Sequence, residues 1–194
     1  MKDSEYAPIP EEFYSFETQK PFTHCLVCKA NLLSGEVDYF IEKAIRNYHE
    51  HEVKDVVYEY AICLSCAQDM NAQMSNESLE NLQRYFAQHP SLMTKMADYS
   101  EHWQEKEEDL IPDKCVVSGQ PVNTLDEYMI YAHFRGDKLV KSSMPYLLSG
   151  EIMDEVADLL SNQTIDQLDD FMGEYFGGPP ELEELWKPRR PVFF

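Results

Sequence analysis

Four cysteines in two Cys-x-x-Cys pairs carry the clearest chemical signal in this 194-residue chain. Cys25 and Cys28 form the first pair, and Cys63 and Cys66 form the second. Each pair brings two sulfurs within reach of one ion, and two pairs complete the tetrahedral all-sulfur shell of many structural zinc sites. We therefore predict one structural zinc ion on these four residues. Four metal-free thiols and a redox-active dithiol are the alternatives.

Two strands and a helix are predicted to position the cysteines. Residues 37–41 and 56–62 are rich in β-branched and aromatic side chains, which favours strands, and the polar residues 47–52 would turn between them. Ala67, Met70 and Met74 recur at helical spacing after the second pair. Cys66 would then lie in the first turn of a helix, where the dipole favours a thiolate.

This order of cysteine turn, β-hairpin and helix resembles a treble-clef zinc finger over residues 22–74. The resemblance implies that Cys25, Cys28, Cys63 and Cys66 are the ligands of a structural ion. It implies no particular activity, because treble clefs serve many unrelated functions.

A second copy of the segment follows about 90 residues later. Residues 75–82 match residues 161–168, and both present the same apolar stripe after a Ser/Thr N-cap. The first cysteine pair aligns with residues 115–118. A shorter hairpin loop around Gly136 accounts for the small difference between the two offsets.

The second copy lacks most of the metal ligands, so we expect no zinc there. Ile152 extends an apolar helix face, as if packing had replaced the metal. We expect Cys115 to be a partly buried thiol without a role, and a reactive or regulatory cysteine is the alternative. The four positions equivalent to the first-copy ligands are Cys115, Ser118, Ser149 and Ile152.

We therefore predict an α+β protein with two treble-clef-like lobes, each made of a zinc knuckle, a β-hairpin and a helix, joined by a helical linker. Residues 1–89 form the zinc-binding lobe, and residues 90–110 form an amphipathic linker helix, for which an oligomer seam is the alternative. Residues 111–176 form the metal-free copy. Residues 177–194 form an extended tail rich in proline and aromatic residues, which covers a groove on its own protein or docks on a partner.

The charge balance restricts the partners. The chain has 36 acidic and 16 basic residues and a net charge of −20, which opposes nucleic-acid binding. Residues 151–185 contain acids and no Lys or Arg, and form either a solvated surface or a docking face for a basic partner. No apolar run of about 20 residues predicts a membrane helix, and the start lacks a signal-peptide core, so we expect a cytoplasmic protein without membrane contact.

Together these features favour a cytoplasmic protein-interaction or adaptor module without catalysis, acting on a protein partner, with a homo-oligomer as the alternative assembly. A thiol-dependent enzyme or redox protein that uses Cys115 or the Cys-x-x-Cys dithiols is the alternative function. The chain contains no P-loop, nucleophile-elbow or His-Glu-x-x-His motif. Among the histidines, His49 and His51 are expected in a solvated loop, His24 beside a ligand shell already filled, and His133 packed or hydrogen-bonded on a strand over residues 128–134.

Overall fold

The structure, a computed structural model, describes residues 6–35, 37–88, 110–141 and 145–177. Within these ranges the protein is α+β, with four α-helices and a six-stranded antiparallel sheet. Nearly all of the predicted linker (90–110) and tail (177–194) lies outside the described residues. The strands are β1 (Tyr6–Pro8), β2 (Asp38–Tyr48), β3 (Val53–Cys63), β4 (Glu127–Arg135), β5 (Lys138–Val140) and β6 (Tyr146–Ser149), and the helices are α1 (Leu64–Ala72), α2 (Asn76–Gln88), α3 (Gly150–Ala157) and α4 (Asn162–Phe176).

The local sequence predictions largely hold. The three predicted strands fall on β2, β3 and β4, although β2 and β3 each extend to 11 residues. A 3-10 turn at His49–His51 occupies the predicted polar loop, and Glu52 closes it with φ 51°. The helix after the second cysteine pair ends at Ala72, so Met74 lies beyond it.

One sheet contains strands from both predicted lobes. β2 pairs with β3 along one edge, from Tyr39↔Cys63 to Tyr48↔Val53. Along its other edge β2 pairs with β4, from Asp38↔Arg135 to Arg46↔Glu127. The far edge of β4 then pairs with β6 and β5, and β1 extends the sheet beyond β5. The two halves of the chain therefore meet through a continuous ladder of backbone hydrogen bonds.

A buried carboxylate lies at the centre of this sheet. Glu42 is fully buried and accepts hydrogen bonds of 2.7 Å from the hydroxyl groups of Tyr58 and Tyr60. Burial, and then the Glu42 charge, raise the pKa of Tyr60, which keeps this tyrosine a hydrogen-bond donor. Glu42 is directly opposite Tyr131 in β4, and Tyr131 stacks on Tyr146 of β6. Two tyrosine hydroxyl groups of β3 thus satisfy a buried acidic group that would otherwise be costly to bury.

Aromatic side chains cover both faces of the sheet. On one face, Phe171 and Phe176 of α4 pack against Tyr60 of β3. On the opposite face, Phe13 packs edge-on against Phe134 at 5.3 Å. Lys43 holds the N-terminal segment on this second face, since its Nζ donates to the Tyr14 carbonyl and pairs with Glu59 at 3.0 Å.

Two helix N-termini meet at a cluster of four hydroxyl groups. The predicted serine N-caps are confirmed: Ser75 Oγ accepts from the Ser78 N–H of α2, and Ser161 Oγ accepts from the Thr164 N–H of α4. The two caps also bind each other, with Ser75 Oγ and Ser161 Oγ 2.7 Å apart. The Ser75 N–H donates to Thr164 Oγ1, and the Ser161 N–H donates to Ser78 Oγ. Each half therefore completes the helix start of the other.

Gly136 provides a test of how tightly the halves fit. It turns the chain from β4 to β5 with φ 58°, and an added Cβ would lie 2.6 Å from Gly35 Cα in the first half. We expect Gly136→Ala to lower the free energy of unfolding by roughly 2–5 kcal/mol, because a left-handed residue with a Cβ costs about 1–2 kcal/mol and overpacking about 1–3 kcal/mol.

Gly119→Ala is the matched control for this variant, because Gly119 has φ 74° but open space around its Cβ position. Urea denaturation would measure both variants. Equal losses in the two would contradict the close approach of Gly136 to Gly35.

Candidate metal centre

The structure brings the four predicted ligands together. The Sγ atoms of Cys25, Cys28, Cys63 and Cys66 all lie within 4.8 Å of one another, and those of Cys28 and Cys63 are 3.6 Å apart. All four cysteines are free thiols. Sulfurs bound to one zinc ion at about 2.3 Å stand about 3.8 Å apart at the corners of a tetrahedron. The cluster can therefore hold a metal ion, and it is compatible with one zinc.

A short turn presents the first two thiols. The Lys29 N–H donates to the Cys25 carbonyl, and the Cys25 N–H donates to the Ala30 carbonyl. Lys29 has φ 60°, a left-handed conformation that reverses the chain directly after Cys28. Its ammonium group donates back to the Leu26 carbonyl at 2.6 Å. The turn is thus held by its own backbone and by one lysine side chain.

The junction of β3 and α1 presents the other two thiols. Cys63 is the last residue of β3 and the N-cap of α1, and Cys66 lies in the first helical turn, as predicted. The Leu26 N–H donates to the Ala61 carbonyl at 2.8 Å, which fixes the turn against the end of β3. The Cys63 N–H points at Cys25 Sγ, 3.4 Å away. These two hydrogen bonds therefore hold the end of β3 and the cysteine turn side by side at the sulfur cluster.

The pKa values of Cys25, Cys63 and Cys66 are shifted in different directions. Burial opposes ionisation of Cys25, but the backbone N–H groups of Cys63, Cys28 and Val27 outweigh it and lower the pKa to about 7. Burial raises the pKa of Cys63 and Cys66, and neighbouring thiols raise that of Cys66 further. Four adjacent thiolates therefore need a cation to exist together, and a bound divalent metal supplies it.

A helix of the second half reaches this centre. Lys29 Nζ lies 5.8 Å from the ring centroid of Tyr175, near the end of α4. Cys25 and Cys63 are buried, Cys66 is half-buried, and Cys28 is exposed. The site is thus closed on the side of the sheet and open to solvent at the turn.

The equivalent positions of the second half hold no group of thiols. Cys115 is buried, and its Sγ accepts N–H groups from Ser118 at 3.4 Å and Ser149 at 3.3 Å. Burial opposes ionisation of Cys115, but the Ser118 side chain and the two backbone N–H groups lower its pKa overall. Ile152 is buried on α3.

Within the described residues, no histidine belongs to the four-thiol cluster. The Nε2 atom of His133 donates a hydrogen bond to Asp38 Oδ1 at 3.0 Å, and the ring packs on Phe40, which confirms the predicted structural role of His133. The Nε2 atom of His49 lies 3.3 Å from Oδ1 of Asp126, and the Nδ1 atom of His24 forms a hydrogen bond with the Thr23 hydroxyl group.

Sequence reasoning missed an acidic cleft in the second half. The cleft has a volume of about 570 Å³ and lies where the end of β6, the start of α3 and the start of β4 meet. Arg46 pairs with one of its carboxylates, that of Glu127, at 2.5 Å. The acids are far apart in sequence, so only the tertiary structure reveals the cluster. The residues that line it are Gln120, Thr124, Leu125, Asp126, Glu127, Ser149, Gly150, Glu151 and Asp154.

No family model, curated protein or solved structure matches this chain. None of the helices in the described part of the chain combines the length and apolarity that crossing a bilayer requires.

Metal removal tests the centre. We expect the purified chain to hold one equivalent of zinc and Cys28→Ser to lose it. Chelation should lower the Tm by at least about 10 °C, because metal binding contributes several kcal/mol and each kcal/mol corresponds to about 2–4 °C in a chain of this size. Elemental analysis and circular dichroism would measure both effects.

Cys115→Ser is the control for that experiment, since it removes a thiol outside the cluster. It should keep the zinc. A metal-free wild type that is equally stable, or equal zinc loss in both variants, would refute the four-thiol centre.

Proposed function

We propose that this protein is a structural-zinc interaction module composed of two treble-clef-like lobes, of which only the first binds metal. Support comes from the order of cysteine turn, hairpin and helix in residues 25–66, and from the convergence of four thiols on one point. A four-sulfur donor set suits zinc, and four protein ligands leave no position for a substrate. The ion would supply folding stability, and the four cysteines would hold it.

The acidic cleft is the surface that we assign to a partner. Asp126, Glu151 and Asp154 are exposed and stand at its rim, from a loop and from α3. The described residues that line the cleft include four acids and no Lys or Arg, and Arg46 pairs with one of these acids, Glu127. With a net charge of −20, the whole protein adds a field that attracts cations over several ångströms and repels polyanions.

A basic segment of another protein is the partner that fits this charge. Lysine and arginine side chains are long enough to enter the cleft and pair with carboxylates on its walls. A nucleic acid or an anionic membrane would be repelled by the same charges. We place the protein in the cytoplasm, where the reducing environment keeps all five cysteines as thiols.

Charge reversal tests the cleft. We expect the full chain to capture a basic protein from a cell lysate at low salt, and Glu151→Lys/Asp154→Lys to weaken that capture by up to about 30-fold, because two lost charge pairs at an exposed site cost up to about 1 kcal/mol each. Quantitative mass spectrometry of the captured proteins would measure the change.

Glu77→Lys/Glu80→Lys is the matched control, since it makes the same charge change on exposed residues of α2. Loss of capture in both double variants would indicate general charge attraction. Capture that is unchanged in the cleft variant, with zinc content intact, would exclude the cleft as the docking surface, and a chain that elutes as a dimer would favour self-association.

Thiol chemistry at Cys115 is the second candidate. Two backbone N–H groups and a lowered pKa favour its thiolate. Burial opposes this role, because Cys115 is 1% exposed and a substrate must reach the sulfur.

Alkylation distinguishes the two candidates. In the zinc-loaded chain at pH 7 we expect iodoacetamide to modify Cys115 at least about 100-fold more slowly than in the denatured chain, because modification requires local opening. Peptide mass spectrometry would measure the alkylation of Cys115 over time, with Cys115→Ser as the negative control. Modification as fast as in the denatured chain would favour the thiol enzyme.

A further inference from the structure

We propose that the second half contains a latent metal site: the backbone around Cys115, Ser118, Ser149 and Ile152 has the geometry of a four-thiolate cradle, and only three side chains prevent it from binding zinc. This proposal goes beyond the interaction function and does not depend on the partner.

The turn at Cys115 repeats the turn at Cys25. The Cys115 N–H donates to the Gln120 carbonyl at 2.9 Å, the same distance as between the Cys25 N–H and the Ala30 carbonyl. The N–H of the fourth residue after each cysteine donates back to that cysteine's carbonyl. That fourth residue is left-handed in both turns, as Gly119 with φ 74° and as Lys29 with φ 60°.

The attachment of the turn to the sheet is also repeated. The Val116 N–H donates to the Leu147 carbonyl at 2.9 Å, as the Leu26 N–H donates to the Ala61 carbonyl at 2.8 Å. A 3-10 turn follows each cysteine turn, at Val122–Thr124 and at Leu32–Ser34. Both turns are therefore docked on the end of an equivalent strand.

The strand-to-helix junction has the same backbone in both halves. Ser149 is the N-cap residue of α3, with backbone angles φ −71° and ψ 156°. Cys63 is the N-cap residue of α1, with φ −68° and ψ 153°. The Ser149 N–H lies 3.3 Å from Cys115 Sγ, and the Cys63 N–H lies 3.4 Å from Cys25 Sγ. The first and third ligand positions thus keep the same relation to each other without a metal.

Ser149 occupies the third ligand position of the cradle. It is 1% exposed, and its side chain hydrogen-bonds with Cys115 at the first ligand position. A buried polar side chain therefore lies beside Cys115, as Cys63 lies beside Cys25 in the first half.

Ile152 explains how the second half remains stable without an ion. It lies three residues into α3, where Cys66 lies in α1, and is 7% exposed. Its apolar side chain adds buried area next to Met153 and Val156, which are also buried. The second half therefore has hydrophobic contact at the position where the first half has a thiol, on the same local backbone.

Restoring the thiols tests the proposal. We expect the full-length variant Ser118→Cys/Ser149→Cys/Ile152→Cys to bind two equivalents of zinc, and two equivalents of cobalt with thiolate-to-metal absorption about twice that of the wild type. The same variant with Cys115→Ser has only three new thiols and should bind the second ion at least about tenfold more weakly.

Two outcomes would overturn the latent site. The triple variant could fold, by circular dichroism, and still bind one ion. It could also fail to fold when refolded with excess zinc, which would show that the second backbone cannot accept four thiolates.

Discussion

The antiparallel pairing of β2 with β4 is the interaction on which the rest of the structure depends. It joins a strand of each half along the full length of β4, from Asp38↔Arg135 to Arg46↔Glu127. Because β2 and β4 are antiparallel, equivalent elements of the two halves run in opposite directions. The second helix of each half, α2 or α4, then packs against an element of the other half. The rings of α4 lie on β3, and Tyr85 of α2 donates to Glu155 of α3. The metal turn and the acidic cleft are thus held by one shared core.

The sequence predicts the local parts of this protein well. The four thiols lie where their spacing indicates, because a Cys-x-x-Cys turn and a strand-to-helix junction depend on a few consecutive residues. The hydroxyl caps of α2 and α4 are local signals of the same kind. The shared sheet could not be predicted in this way, since the residues of β2 do not indicate which strand pairs with its second edge. Glu42 shows the limit most clearly, because a charged residue in a strand predicts an exposed face and here lies fully buried beneath two tyrosine hydroxyls.

The two halves carry different side chains on the same local backbone. In the first half, the cysteine turn and the helix start hold four thiols and have Lys29 at the solvent side. In the second half, the same two segments place Gln120, Ser149 and Glu151 on the wall of the acidic cleft. Of the four positions that correspond to the metal ligands, Ser149 lies on this wall. The side chains of the second half can differ in this way because the shared sheet holds that half in place.

The reciprocal capping of α2 and α4 has a consequence for the order of events during synthesis on the ribosome. Ser75 and Ser78 find their partners Ser161 and Thr164 only after more than 80 further residues have been made. Until then the emerging half has an unpaired β2 edge, which is a site for aggregation. The four thiols, by contrast, are complete once residue 66 has emerged. A metal ion bound by these thiols would order the hairpin and its helix while the chain is still growing, and would protect the nascent chain before the second half is made.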